Sequence, residues 1–152
     1  VHLVVLRFAP VVGPNANNPF TRLLRTGLVP TMLGFDPVWQ VLHEDDAATA
    51  LHLALTTRAR GVFNVVGEET APFSTVVRAS GAAALPLPLP LWRMTVRALD
   101  AAGVSATPVP MLDFLRYSFI ADGTRAREKL GFHPRVSFHE AMQSMRDARS
   151  ER

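Results

Sequence analysis

The chain has 152 residues, 48% of them hydrophobic, and a formal net charge of +3 at pH 7. That length and composition allow one domain with a real core. The lack of cysteine excludes disulfides and thiolate metal sites and fits a cytoplasmic protein, and no run of about 20 apolar residues is present to cross a membrane. The charge is uneven, with five Arg against six acids up to Val76 and ten Arg plus one Lys against seven acids beyond it. No block of basic residues and no aromatic interleaving accompanies the excess. A solvated Arg-rich surface is therefore expected, with neither nucleic acid nor membrane as partner. No signal peptide is visible. The chain opens on Val1 and runs directly into a strand-like segment, which predicts a piece of something longer.

Residues 2–8 (HLVVLRF) show little polar alternation, the pattern of a parallel strand buried on both faces. Pro10 ends the ladder and Gly13-Pro14 marks a turn. Asn15, Asn17, Asn18 and Pro19 make a loop. It is either a plain strand exit or the place beyond a strand's carboxyl end where an open α/β sheet holds ligands. Phe20, Leu23, Leu24 and Leu28 predict a helix over 20–28, capped by Asn18 and opened by Pro19. Residues 31–37 are predicted as loop.

The stretch from Trp39 to Gly67 reads as short strand, acidic turn, helix, strand. Val41 and Leu42 precede Glu44, Asp45 and Asp46, which fall where a helix begins and its dipole favours negative charge. Leu51, Leu55 and the alanines give that helix an apolar face, and Arg58 and Arg60 lie near its end. Val62, Phe63, Val65 and Val66, closed by Gly67, read as a second buried strand. A helix feeding a buried strand implies an α/β sheet protein. His43 is expected as a strand-end residue hydrogen-bonded to the turn. A metal role with Asp45 and Asp46 is the alternative, and no metal site is expected.

Phe73 to Ala79 predicts a short helix. The alternating prolines from Leu85 to Pro90 exclude a central strand. That segment should be extended at an edge or against a hydrophobic surface, or act as a polyproline-type docking peptide. Residues 91–102 predict a helix, 104–110 a proline-limited linker, and 111–117 an apolar, aromatic segment. Phe119-Ile120-Ala121 reads as a short strand. Asp122 is the predicted N-cap of a helix ending at Leu130, with Gly131 in the left-handed position. Ser137 and Glu140 form a capping box for a last helix to about residue 148, after which the tail should fray.

Catalytic signatures are missing. The five histidines show no zinc-type spacing, and there is no Walker loop and no Gly-x-Gly-x-x-Gly. Tyr117 is the only Tyr and Lys129 the only Lys, so no Tyr-x-x-x-Lys pair exists. No Gly-x-Ser-x-Gly elbow is present either. No residue of this chain is therefore assigned a catalytic role.

Four segments, in order, nevertheless carry a resemblance. Leu6-Arg7-Phe8-Ala9-Pro10-Val11-Val12-Gly13-Pro14 resembles the Leu-Arg-…-Tyr-Gly-Pro segment of the extended short-chain dehydrogenase/reductases (SDRs). These are the NAD-dependent epimerase/dehydratases, which include UDP-glucose 4-epimerase. Leu42-His43-Glu44-Asp45-Asp46-Ala47-Ala48 is similar to their His-Val-x-Asp-Val-Ala segment. Gly61 to Gly67 is similar to their Gly-x-Tyr-Asn-Val-Gly strand. Asp122 to Pro134 resembles their terminal Asp-x-x-(Arg/Lys)-Ala-x-x-x-Leu-Gly-(Trp/Phe)-x-Pro. The resemblance is strongest to actinobacterial members and covers only the family's C-terminal half.

The resemblance implies an α/β fold: the last parallel strands of a Rossmann-like extended SDR plus its small mixed α/β substrate lobe. It implies that residues 1–81 end the dinucleotide-binding sheet with inserted substrate-lobe elements, 82–148 form a mostly helical substrate lobe, and 149–152 are tail. Phe8, Ala9, Pro10 and Val11 would contact NAD or NADP in the full-length protein. Val12, Asn17, Trp39 and Arg116 would face a small-molecule substrate. His43, Asp46, Asn64 and Asp122 would be structural motif residues. The glycine-rich loop and catalytic Tyr and Lys would belong to an N-terminal Rossmann half, so this chain alone would be inactive.

Three positions depart from the family. Pro10 stands where sugar-nucleotide epimerases carry a substrate-binding Asn, Val12 replaces their Tyr, and Trp39 stands where they carry a diphosphate-gripping Arg. An Arg suits phosphate because its planar fork binds two oxygens. Its loss opens a second reading, a reductase of less charged substrates or a non-catalytic dinucleotide-binding or interaction protein. An open hydrophobic sheet edge predicts self-association, with a homodimer as one form.

Overall fold

The computed structural model describes residues 3–92, 94 and 114–150. Expectations for most of the helix over 91–102, for the linker over 104–110 and for the start of the 111–117 segment lie outside the described residues. The chain is α/β. Its elements are β1 (Val4–Phe8), β2 (Val11–Val12), α1 (Pro19–Arg25), β3 (Leu28–Met32), β4 (Val38–Gln40), β5 (Leu42–His43), α2 (Glu44–Thr56) and β6 (Gly61–Val65). Then follow β7 (Thr70–Pro72), α3 (Phe73–Ala79), β8 (Ala83–Leu87), α4 (Thr124–Leu130) and α5 (Phe138–Ser150). They fall into two compact units that are discontinuous in sequence. The first holds residues 1–16, 40–70 and 119–152; the second holds 17–39 and 71–118.

In the first unit β1 pairs parallel with β6, from Val4 opposite Gly61 to Phe8 opposite Val65, as the two buried-strand runs predict. The short strands β2 and β5 pair parallel as well, Val11 with Leu42 and Val12 with His43. Ala9, Leu42, Ala50, Phe63, Val65, Val66, Ala126, Leu130 and Phe132 form the core, with Val4, Leu6 and Phe8 packed against it. β1 is not buried on both faces. Val5 is 38% exposed and Arg7 is exposed, as is Val62 of the partner strand at 37%. Among the described residues only one face of this strand pair is covered, which is why the apolar run of β1 is half-buried.

The helix after β5 begins on the three acids. His43 is its N-cap, with Nδ1 accepting from the Asp45 N–H at 3.3 Å. Asp122 lies one residue outside the predicted position. It precedes the cap residue Gly123 and accepts from the Thr124 N–H at 2.8 Å and hydroxyl at 2.6 Å. Gly131 ends α4 at φ +68°, in the left-handed region that glycine enters without steric cost. The Ser137–Glu140 capping box is formed, Glu140 accepting from the Ser137 N–H and hydroxyl at 2.9 and 2.6 Å. α5 continues to Ser150, past the expected end. Phe119 makes a single bridge, its carbonyl accepting from the Gln40 N–H, rather than opening a three-residue strand.

In the second unit α1 starts as predicted. Thr21 N–H bonds the Asn18 side chain at 3.0 Å while Asn18 N–H bonds the Thr21 hydroxyl at 3.1 Å. The helix stops at Arg25, because Gly27 turns at φ +84° and Leu28 enters a strand. That strand, β3, replaces the start of the predicted loop and pairs parallel with β8 over five residues, Leu28 with Ala83 to Met32 with Leu87. Pro30 and Pro86 are tolerated because among the described residues this sheet has two strands, and each has a free edge for its missing donor. α3 spans the predicted residues, capped from a distance by Asp36, which accepts from the Ser74 N–H at 2.8 Å and hydroxyl at 2.5 Å. Phe20, Leu24, Val29, Trp39, Phe73, Val76 and Val77 are buried in this unit.

Candidate cofactor and substrate sites

The segment implied to hold the cofactor runs off the carboxyl end of β1. Phe8 is half-buried, Ala9 is buried, Pro10 and Val11 are half-buried, and Val12 is fully buried. The backbone is held from both sides. Ala9 N–H donates to Val65 O at 2.9 Å, and Pro10 O accepts from Leu42 N–H at 3.0 Å. A parallel pair in this register delivers its backbone to the carboxyl end of the sheet, the position at which open α/β folds bind ligands. The segment offers shape and backbone groups and contains no titratable side chain.

The motif residues beside it are each hydrogen-bonded within the first unit. His43 is 7% exposed and its Nε2 lies 3.2 Å from Ser144 Oγ of α5. Nδ1 accepts a backbone N–H, so Nε2 carries the proton and donates to Ser144; that hydroxyl donates on to Ala141 O at 2.9 Å. Asp46 is 2% exposed and accepts from the Arg135 and Val136 N–H groups at 3.0 and 3.1 Å. Asn64 Nδ2 donates to Asp122 O at 3.1 Å. Hydrogen bonds from the Thr124 hydroxyl and N–H hold the Asp122 carboxyl below its ordinary pKa. Among the described residues no group of three His, Asp or Glu is arranged to hold a metal. Ser144 and the Glu44–Asn15 contact at the end of β2 were not singled out by the sequence; the only signal was a carboxylate at a helix start opposite a Gly-Pro-Asn turn.

In the second unit Asn17 is exposed ahead of α1. Trp39 is 1% exposed, its ring stacked on Phe20 at 5.1 Å and 13° and flanked by Phe73 and Phe114. It therefore belongs to an aromatic core. Arg116 is half-buried, its guanidinium 5.8 Å from the Tyr117 ring centroid. It lines a cavity of about 240 Å³ with Met32, Phe35, Leu89 and Tyr117. This pocket has an apolar, aromatic wall and one guanidinium, a combination suited to a planar or apolar group carrying an anionic substituent. A separate groove of about 500 Å³ in the first unit is lined by Leu6 and Phe8 of β1 and Leu51 and Leu55 of α2.

No protein-family profile matches the chain. An uncharacterised protein of Mycobacterium tuberculosis is 32% identical over 145 residues, covering 93% of this chain and 38% of that protein. Among solved structures, the chain resembles MoeE5 in complex with UDP-glucuronic acid and NAD (20% identity, TM-score 0.66, 99% of this chain, 48% of that chain). It also resembles UDP-glucuronic acid 4-epimerase from Bacillus cereus in complex with UDP-glucuronic acid and NAD (21% identity, TM-score 0.64, 99% and 46%). The chain thus spans less than half the length of these proteins, and it shares the fold of the part it covers.

Proposed function

We propose that this chain is the C-terminal part of an NAD(P)-dependent epimerase/dehydratase or reductase of the extended SDR family, of the actinobacterial type. In this reading it supplies the nicotinamide-end segment and the substrate lobe, while the glycine-rich loop and the catalytic Tyr and Lys lie in an N-terminal Rossmann half. The observation that carries the reading is the fold likeness to two UDP-glucuronic acid–NAD complexes over 99% of this chain. It is joined by the order of the four sequence segments. The first unit would be the end of the dinucleotide-binding sheet and the second the substrate lobe. Phe8, Ala9, Pro10 and Val11 would line the dinucleotide, and Asn17 and Arg116 of the second unit the substrate; Val12, 0% exposed, packs in the core of the first unit instead. The exposed apolar residues of β1 and α2 would be covered by the Rossmann half, or by a second copy when that half is absent. The enzyme would work in the cytoplasm.

A second reading draws on Trp39. A side chain packed among Phe20, Phe73 and Phe114 cannot grip a diphosphate. This favours a substrate less charged than a nucleotide sugar, or a dinucleotide-binding protein without catalysis. The test is expression of the complete reading frame, NAD(H) and NADP(H) titration, and turnover assays with UDP-sugars and with uncharged keto substrates. Dinucleotide binding with UDP-sugar turnover supports the first reading. Binding without any turnover supports the second. A complete protein that binds neither dinucleotide refutes both.

A further inference from the structure

The turn that leaves β2 is tied to the start of α2 by one side chain. The Glu44 carboxylate accepts from the Asn15 backbone N–H at 3.2 Å (Oε1) and 3.1 Å (Oε2), and from Asn15 Nδ2 at 2.9 Å. Glu44 follows directly on His43, which is paired with Val12 in the β2–β5 ladder. The side chain therefore reaches across the ladder's end to the residues just after the candidate cofactor segment. The space it occupies exists because residue 13 is glycine. A Cβ on Gly13 would stand 2.6 Å from Glu44 Cδ and 2.7 Å from Oε2, with φ at +153°. Carboxylate and missing side chain are thus two parts of one clasp.

We infer that Glu44 is a positioning residue: through Asn15 and the glycine gap at residue 13 it fixes the exit of the segment formed by Phe8 to Val12, and so the geometry of the bound dinucleotide. This rests on the proposed function. Phe8 to Val12 is anchored upstream by the β1–β6 ladder and by Leu42 N–H on Pro10 O. Downstream, the Glu44–Asn15 contacts tie its exit to the start of α2. Releasing them leaves the ladder intact and loosens that tie.

The test is NADH titration of the protein made from the complete reading frame, with the urea midpoint measured in parallel. Glu44→Ala should weaken NADH binding about tenfold, the size of one lost hydrogen bond to a charged group. The urea midpoint should hardly move, because the contact is exposed. Glu44→Gln keeps an acceptor oxygen and should restore most of the affinity. Gly13→Ala expels the carboxylate and should reproduce the Glu44→Ala loss, and the double variant should be no worse than about tenfold, since both break the same clasp. Unchanged binding in Glu44→Ala, no rescue by Glu44→Gln, or losses that multiply to about a hundredfold would overturn the inference. If the unsubstituted protein binds neither NADH nor NADPH, the functional reading falls and the inference with it. That outcome is visible before any variant is made.

Discussion

Asp46 offers the most direct test of how the first unit is held together. It is 2% exposed, and its two carboxylate oxygens each accept one backbone N–H, from Arg135 at 3.0 Å and Val136 at 3.1 Å. These bonds tie the segment before α5 to the first turn of α2, across 89 and 90 residues of sequence. A hydrogen bond to a charged group contributes about 1.5–3 kcal/mol, and the partly buried setting argues for the lower end. Asp46→Ala should therefore cost about 3 kcal/mol, a large part of the roughly 5–15 kcal/mol of a typical domain. Asp46→Asn keeps one acceptor oxygen but turns an NH2 toward the second N–H, so it should lose more than half of that. Urea unfolding followed by far-UV circular dichroism measures the total. Hydrogen exchange at the Arg135 and Val136 amides measures the local part, where 3 kcal/mol corresponds to protection reduced by about a hundredfold. A cost below about 1 kcal/mol, with protection at both amides unchanged, would refute the assignment of Asp46 as the tie.

The remaining predictions concern other points of the fold. Trp39→Ala should destabilise the second unit by about 3–5 kcal/mol, as expected for emptying an aromatic site, and Trp39→Phe by clearly less; tertiary fluorescence and urea midpoints decide. Trp39→Arg, which supplies the charge expected in sugar-nucleotide epimerases, should unfold this unit and give no UDP-sugar binding, because an unpaired guanidinium would be buried in the aromatic stack. Gly131→Ala meets no atom within 4 Å, so its cost should be conformational alone, about 1 kcal/mol. Glu140 is held below its ordinary pKa first by the Ser137 hydroxyl and then by the Ser137 N–H. A depressed carboxylate contributes stability above its unfolded pKa and loses it as pH falls through the lower folded value. Ser137→Ala should accordingly cost α5 more stability at neutral pH than at acid pH, where the contribution is already lost, and so flatten the acid limb below pH 4.5, the ordinary value of Glu140; circular dichroism from about pH 3 to about pH 7 checks this.

Local chemistry was legible wherever a backbone rule has a single solution. Asn18-Pro19 opened α1, Ser137 and Glu140 boxed the start of α5, and Gly131 closed α4, each because a helix end has few ways to satisfy its free groups. The β1 and β6 runs announced a parallel pair through continuous apolar composition. What the sequence misjudged depended on neighbours. Leu28 keeps helical spacing with Phe20 and Leu24, yet Gly27 reverses the chain and Ala83 offers it a ladder. The prolines around Leu85, by contrast, correctly exclude a central strand: among the described residues β8 is an edge strand of a two-stranded ladder in which each missing donor points away. β1 reads as doubly buried because composition records the environment a segment is suited to, while burial records what covers it.

That last difference bears on function. Leu3 is 66% exposed, Leu51 51% and Leu55 85%, and the groove between β1 and α2 that they line is apolar. Side chains of this kind, on a strand with one described partner and a helix with one covered face, would bury several tens of Å² each on finding a cover, at about 25 cal/mol per Å². On the proposed reading, the surface through which the isolated chain would associate is also the surface an N-terminal Rossmann half would cover. Leu51→Glu with Leu55→Glu separates the two cases. In the chain alone it should reduce self-association, read by sedimentation. In the complete protein it should destabilise the fold, because two carboxylates would be buried without partners. If the pair leaves the complete protein as stable as before, this face is not where the rest of the sheet packs.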